Sequence, residues 1–336
     1  MTMAALTNVA LNLSMPSYAV GQLCDWLYRK RITTIHQMTN LAASKREQLS
    51  NHYKIGAYPP VEAKTSADGA VKYLFPISHA NHFVESVFIP SDHRATLCIS
   101  SQIGCKMNCR FCMTGRQGFT AQLTANEMMN QIQSIPQNRE LTNIVFMGMG
   151  EPLDNIDELF KVLEILTSNY GYGWSPKRIT VSTIGLLPGL KRFLDESACH
   201  LAISLHSPYH EERLSLIPAE KVFPVKNIID ILHEYDFSHQ RRVSFEYILF
   251  DGFNDTEKHA KALVRMLKGL ECRINLIRYH ALPGINLRSC DEQKIEKFRA
   301  MLHAQGIIST VRASRGEDIF AACGMLSTTK NTKDNS

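Results

Sequence analysis

Three cysteines, Cys105, Cys109 and Cys112 in the stretch GCKMNCRFCMTG, stand at spacings of four and three. The short runs between them let one tight loop turn all three thiols toward a single small centre, as thiolate ligation of iron requires. No fourth cysteine lies close in sequence, so a closed four-thiolate zinc site is poorly matched. A [4Fe–4S] cluster held here keeps one iron without a protein ligand. The amino and carboxylate groups of S-adenosylmethionine can chelate such an iron, and an electron from the cluster then releases a 5′-deoxyadenosyl radical. Three core cysteines or an oxidised pair are the plainer alternative, and the glycine-flanked loop weighs against them.

Other groups carry chemistry only in the right company. Gly148-Met149-Gly150-Glu151-Pro152 follows the run NIVFMG; its glycines let backbone approach a ligand and Glu151 can meet an ammonium group. Taken alone, such a turn is an ordinary strand-to-helix connection. Glu85, in VESVFIP, lies among apolar neighbours, where burial raises a carboxyl toward the range of a general base, although simple alternation reads it as solvent-facing. Cys98 in RATLCIS reads equally well as a buried strand cysteine, and Cys323 in AACGML reads by itself as a packed small residue.

The elements that must position these groups follow from periodicity. Residues 14 to about 52 have helical spacing, with Ser14 and Pro16 as start signals and Val20, Leu23, Cys24 and Leu27 on one face. The basic cluster Arg29, Lys30 and Arg31 beside Trp26 and Tyr28 can touch RNA or simply be a solvated helix end. VKYLFPI and HFVESVFIP, separated by SHAN, predict a hairpin. Beyond it, the strands RATLCIS, NIVFMG, RITVST, HLAISLH, VSFEYILF and CRINLIRY alternate with helices starting near Thr124, Ile156, Pro188, Val225 and Asp255. A helix over Asp291 to Gln305 and the strand STVRAS come next. Six strands alternating with helices predict an α/β fold, a parallel sheet curled into a partial (β/α)6 barrel with a small N-terminal helical domain. Ligands are then expected beyond the carboxyl ends of the strands. The expected division is residues 1–70 for the helical domain and linker, 71–326 for hairpin and barrel, and 327–336 for a polar tail.

The chain has 336 residues, is 44% hydrophobic and carries a formal net charge of +5, as expected of a globular protein and compatible with a polyanionic partner. No run approaches the ~18 apolar residues of a membrane span. No basic residue precedes the apolar N-terminal stretch, so a secretory signal is not expected; the expected location is the cytoplasm. Nine cysteines, an odd number spread from Cys24 to Cys323, fit metal binding, catalysis or packing better than a disulfide framework.

RATLCISSQIGCKMNCRFCMTG, FMGMGEPLDN, ITVSTIGLLPGL, AISLHSP, RINLIRYH and RGEDIFAACG together resemble the dual-specificity adenine-C2 RNA methyltransferases of the RlmN/Cfr family, over nearly the whole chain. The resemblance implies a radical S-adenosylmethionine enzyme with one [4Fe–4S] cluster on Cys105, Cys109 and Cys112, using two S-adenosylmethionine molecules per turnover. It implies cofactor contacts at Gly150, Glu151, Ser182, Ser204, Leu205 and His206, and at His280, where the family commonly has asparagine; Met325 likewise replaces a usual glutamine. It assigns Cys323 as methyl carrier, Cys98 as the thiol that resolves the RNA adduct through a transient Cys98–Cys323 disulfide, and Glu85 as proton acceptor. The implied partners are 23S rRNA, tRNA and a reducing electron-donor protein, for a chain acting as a monomer without a membrane. A Cfr-type C8 methyltransferase shares this chemistry, but GRQGFTAQL with Phe119 looks more like the C2 enzymes. The rival of another class is a non-catalytic RNA-binding protein with a structural metal.

Overall fold

The structure, a computed structural model, describes residues 1–78, 81–238 and 242–327. The N-terminal segment packs α1 (Met3–Asn12), α2 (Ala19–Cys24, continuing as a π-helical turn over Asp25–Lys30) and α3 (Ala43–His52). Helical structure thus begins before the expected start at residue 14: the uncharged stretch MAALTNVALN buries Leu6, Val9 and Ala10. Arg31 closes the π turn at a φ of 53°.

Strand β1 (Glu62–Thr65) lies within the expected linker and pairs with β2 (Val71–Pro76), which pairs antiparallel with β3 (Phe83–Ser91) in the expected hairpin. Its turn at His79 and Ala80 lies outside the described residues. Strand β3 pairs antiparallel with β4 (Arg94–Cys98), so Val87 stands opposite Cys98. The cysteine loop is bracketed by a small separate hairpin, β5 (Gln102–Gly104) and β6 (Phe119–Gln122), with one helical turn, α4 (Met113–Arg116), inside it.

Alternation then sets in: α5 (Ala125–Gln133), β7 (Asn143–Phe146), α6 (Ile156–Thr167), β8 (Ile179–Thr183), α7 (Leu187–Glu196) and β9 (His200–Ser204). It continues through α8 (His210–Leu216), α9 (Val225–Leu232), β10 (Val243–Leu249), α10 (Glu257–Met266), β11 (Cys272–Arg278), α11 (Glu292–His303) and β12 (Ser309–Arg312). Local chemistry fixes several starts. Thr124 and Glu127 form a reciprocal capping box at α5, and Asp291 accepts from Lys294 N at α11. In α9, Val225, Ile228, Ile229 and Leu232 fall on one face and are buried against the sheet layer.

The strands form one sheet in the order β1-β2-β3-β4-β7-β8-β9-β10-β11-β12, parallel from β4 onward. The sheet order is linear, so the curl is a partial barrel with a seam between β4 and β12. The run STVRAS joins as a seventh parallel strand beyond the expected six. Strand β10 is buried along its whole length, yet it carries Ser244 and Glu246. These alternate with Phe245 and Tyr247, as a strand with a polar barrel interior on one side and helices on the other must.

Two joints set the geometry around the site. Arg29 donates to Asn169 O at 2.8 Å and Arg31 to Asn138 O at 2.7 Å, with the Arg31 guanidinium 4.6 Å over the Tyr172 ring. The basic cluster that suggested RNA contact therefore spends two of its three charges clamping the helical segment to the barrel; Lys30 lies over Trp26 and pairs with Asp25. At the other end, the chain after β12 returns across the seam. Asp318 accepts from Ser66 Oγ and Ala67 N, and Asp68 accepts from Gly316 N.

Candidate active site

The cysteine loop lies beyond the carboxyl end of β4, where a cleft opens across the tops of the neighbouring strands. Cys105, Cys109 and Cys112 line it together with Gly148, Gly150 and Glu151 after β7, Ser182 at the end of β8, Ser204 at the end of β9, and Cys323. Burial pushes Cys105 up to about 12 and raises Cys109 and Cys112 as well, so these thiols give up their protons most readily to a metal that takes the thiolates. All nine cysteines of the chain are free. Among the described residues, the only trio of potential ligand atoms all within 4.8 Å of one another is Asp251, Asp255 and Cys290, away from this loop. Cys105, Cys109 and Cys112 offer three thiolates and no fourth cysteine lines the cleft except Cys323, a donor set that suits an iron–sulfur cluster better than a closed four-thiolate zinc site.

The turn after β7 is shaped by steric necessity. A Cβ on Gly148 would lie 2.6 Å from Ile99 O, and one on Gly150, at a φ of 101°, 2.6 Å from Gln102 Cβ. Glu151 is buried; its oxygens accept from Leu153 N at 3.1 Å and Ile184 N at 3.0 Å. Burial nonetheless pushes its carboxyl up to about 7. A carboxylate so destabilised gains from an arriving ammonium group, which is what the methionine end of S-adenosylmethionine presents.

His206 adopts a left-handed φ of 56°, and its Nδ1 accepts from Ile248 N at 3.0 Å. Burial pushes the ring down to about 3, so it is neutral, and the bond at Nδ1 places its proton on Nε2. Ser182, Ser204 and His206 therefore supply polar groups to the cleft. Leu205 is fully buried and is held through its backbone, its N–H on Glu246 O and its carbonyl on Arg213 Nε. His280 lines a second cavity instead of this cleft; Ser314 Oγ lies 3.0 Å from its Nε2, and Glu317 Oε1 lies 3.2 Å from its Nδ1.

The second cavity occupies the seam. Cys98, Thr96 and Val145 line one side, and His280, Ser314 and Cys323 the other. Cys323 lines both spaces, as do Met147, Ile277 and Arg312. Burial pushes Cys98 up to about 12, the nearby Cys323 adds to this, and Arg312 opposes it. Arg312 pairs with the buried Glu246 at 3.2 Å, which keeps its guanidinium charged against the cost of burial.

The Cys323 loop is pinned on two sides. Met113 N donates to Gly324 O at 2.8 Å and Thr114 Oγ1 to Leu326 O at 2.7 Å, from the helical turn that follows the cluster cysteines. From the hairpin, Lys72 Nζ donates to Phe320 O at 3.2 Å, and Glu85 Oε2 accepts from Ser327 N at 2.9 Å. Glu85 is buried, paired with Lys72 at 3.0 Å, and burial raises its carboxyl despite that partner. It lies under the loop and lines neither cavity.

Sequence reasoning passed over Arg213, which is fully buried and spans the strand ends. Its guanidinium donates to Ile184 O at 2.8 Å, Ser204 O at 2.9 Å and Leu205 O at 3.1 Å, and pairs with buried Glu220. An arginine in a polar helix carries no signal of this in one sequence.

Residues 99–267 match the Radical SAM superfamily, and residues 1–55 match the ribosomal RNA large subunit methyltransferase N-terminal domain. The chain is 64% identical over 331 residues to a probable dual-specificity RNA methyltransferase RlmN of Parabacteroides distasonis, covering 98% of this chain and 96% of that one. It is 57% identical over 335 residues to the protein of the same name in Bacteroides thetaiotaomicron, covering 100% and 97%. A crystal structure of a radical SAM methyltransferase from Sphaerobacter thermophilus superposes with a TM-score of 0.90 at 37% identity, covering 97% of each chain. The chain belongs to the RlmN family of radical S-adenosylmethionine RNA methyltransferases.

Proposed function

We propose that this enzyme methylates C2 of an adenine in both 23S rRNA and tRNA, with Cys323 as the methyl carrier. The observation that carries the reading is that Cys323 forms part of the wall between the cleft of Cys105, Cys109 and Cys112 and the cavity that contains Cys98. A residue so placed can be served from one side and deliver to the other. The C2 carbon of adenine is electron-poor and cannot attack a sulfonium methyl as an amine does, so a carbon radical is the reasonable route.

With a [4Fe–4S] cluster on Cys105, Cys109 and Cys112 and S-adenosylmethionine beside Gly150, Glu151, Ser182, Ser204 and His206, the site supplies a methyl donor and, on reduction, a 5′-deoxyadenosyl radical. Cys323 Sγ accepts a methyl group by nucleophilic displacement, losing its proton, with the Arg312 guanidinium lining the same two spaces. Loss of one hydrogen from that S-methyl group leaves a carbon radical that adds to C2. We assign Glu85 to take the C2 proton, a role that requires the loop over it to lift, because its carboxylate is engaged by Ser327 N and Lys72. The adduct is a radical, so one electron must leave with that proton, back to the cluster that Cys105, Cys109 and Cys112 would hold. The Cys98 thiolate then attacks Cys323 Sγ, the S–CH2 bond breaks, the freed carbon takes a proton to become the methyl group, and a Cys98–Cys323 disulfide remains for reduction.

Two S-adenosylmethionine molecules per turnover, a reducing protein partner, a monomeric chain and a cytoplasmic location complete the reading. Among the described residues, no helix is long and apolar enough to cross a membrane. We take residues 1–70 as the N-terminal domain and linker, and 71–326 as the catalytic domain. The proposed tail at 327–336 lies, beyond Ser327, outside the described residues. Mass mapping of the methyl group on 23S rRNA and tRNA treated with reconstituted enzyme is the test. The Cys323→Ala variant is expected to keep the cluster and lose methylation; methylation at C8 alone, or retained in that variant, overturns the reading.

A further inference from the structure

The barrel has a third cavity at its other end, built from the first residues of successive strands. Arg94 opens β4, Asn143 opens β7, and Arg242 and Arg273 stand at the starts of β10 and β11, with Lys177 just before β8. The only carboxylate in its wall is Glu246, engaged by Arg312 at 3.2 Å, by Asn275 Nδ2 at 2.7 Å and by Ser244 Oγ at 3.2 Å. Among the described residues, Arg94, Lys177, Arg242 and Arg273 have no carboxylate partner within ion-pair distance. Partial burial, and after it the like charge of nearby Arg242, lower the Arg273 guanidinium from its usual value. Four cations facing one polar cavity without counter-charges have an electrostatic deficit that an anion fills.

This mouth adjoins the seam cavity and shares a wall with it. Thr96, Val145, Met147 and Arg312 line both the basal cavity and the seam cavity of Cys98 and Cys323. Along β11, the four steps from Arg273, in the mouth, to Ile277, in the seam cavity above, rise about 13 Å. The clamp of the helical segment lies at the same end. Asn138 and Asn169, which receive Arg31 and Arg29, precede β7 and β8, whose starts line the mouth.

We propose that the amino-end mouth of the barrel is a phosphate-binding site that holds the RNA backbone beside the adenosine reaching toward Cys323. This rests on RNA being the substrate. The chemistry recognised is a phosphate diester flanking an unstacked base, met by guanidinium forks and the Lys177 ammonium.

The test compares full-length, anaerobically reconstituted wild type with Arg242→Gln/Arg273→Gln, using an unmodified tRNA transcript as probe and following binding by anisotropy from 50 to 200 mM salt. Each single-strand phosphate contact contributes about 0.7 to the slope of log affinity against log salt, so losing two lowers the slope by about 1.4. The advantage of wild type over variant should then shrink about sevenfold across that range. The Arg242→Lys/Arg273→Lys variant should keep the slope. So should Lys161→Gln/Lys226→Gln, which removes equal charge from the exposed faces of α6 and α9. Cleavage of S-adenosylmethionine to 5′-deoxyadenosine serves as the folding control and should persist in all. An unchanged slope in the double glutamine variant, or an equal fall in the exterior variant, overturns the proposal. Thermal stabilisation by AMP that the double glutamine variant loses, with an unchanged RNA slope, assigns the mouth to free nucleotides and equally overturns it. Failure of wild type to methylate any RNA would refute the proposed function while leaving the slope comparison readable.

Discussion

Replacing Arg213 by methionine tests whether one buried guanidinium holds the strand ends that shape the cofactor cleft. The change leaves Glu220 buried without its guanidinium, although His210 Nδ1 at 2.9 Å and Val225 N at 3.0 Å still reach it. It also removes the donor from three carbonyls, those of Ile184, Ser204 and Leu205. Breaking a buried ion pair from one side costs about 3–5 kcal/mol. Against a total stability of about 5–15 kcal/mol, this is a large fraction. The companion Arg213→Met/Glu220→Leu removes both charges and leaves mainly the carbonyls short of partners, at roughly 1 kcal/mol each. The double variant should therefore be more stable than the single by at least about 1 kcal/mol, a sign opposite to additive damage. Urea unfolding, read from the midpoint at unchanged slope, measures both. Equilibrium dialysis of S-adenosylmethionine against reconstituted protein should show weaker binding in the single variant. A single variant within 1 kcal/mol of wild type, or a double variant as damaged as the sum of the two singles, refutes the reasoning.

Gly150→Ala puts a Cβ 2.6 Å from Gln102 Cβ at a φ of 101°, so it should cost about 1–2 kcal/mol for the left-handed backbone alone and weaken S-adenosylmethionine binding, measured by dialysis. Binding equal to wild type would remove the turn from the site. The resolving step should accelerate with pH: with Cys98 pushed up to about 12, its thiolate fraction rises tenfold per unit through pH 7 to 9. Decay of the covalent enzyme–RNA adduct in quenched samples reads this, and a flat profile would discount thiolate attack as rate-limiting. The corresponding stability effect has the other sign and another window. A thiol raised in the folded state favours folding below the unfolded value near 9, and that contribution is lost only as pH rises from there toward 12.

The barrel was legible because its strands are short apolar runs ended by polar or glycine turns, and the helices between them keep a single apolar face, as α9 does. The cysteine loop was legible because its ligands are close in sequence. The hairpin of β5 and β6 was not, since strands of three and four residues are too short to display a period. Helix α1 was missed for want of charge contrast, and α8 because its seven residues, HEERLSL, read as a polar connection. The roles of Arg29, Arg31 and Arg213 depend on carbonyls far away in the chain, at Asn169, Asn138, Ile184, Ser204 and Leu205. No local pattern encodes such partners. Glu85 went against simple alternation for a related reason: both faces of β3 are covered, one of them by the returning C-terminal segment.

In the proposed mechanism, the same returning segment is what lets two ordinary cysteines share a task. Cys98 is fixed by β4 pairing with β3 and β7, so it belongs to the rigid sheet. Cys323 sits on a loop whose ties are a few hydrogen bonds, to the turn after the cluster cysteines on one side and to Lys72 and Glu85 on the other. A carrier must face the methyl source and the radical source in turn, then meet the resolving thiol. That requires a mobile sulfur against a fixed one, and a release that costs only a few bonds. Because Glu85 is both one of those ties and the assigned proton acceptor, lifting the loop frees the acceptor in the same movement that repositions the carrier. In the proposed mechanism, proton removal and adduct resolution are thereby coupled through the position of a single loop.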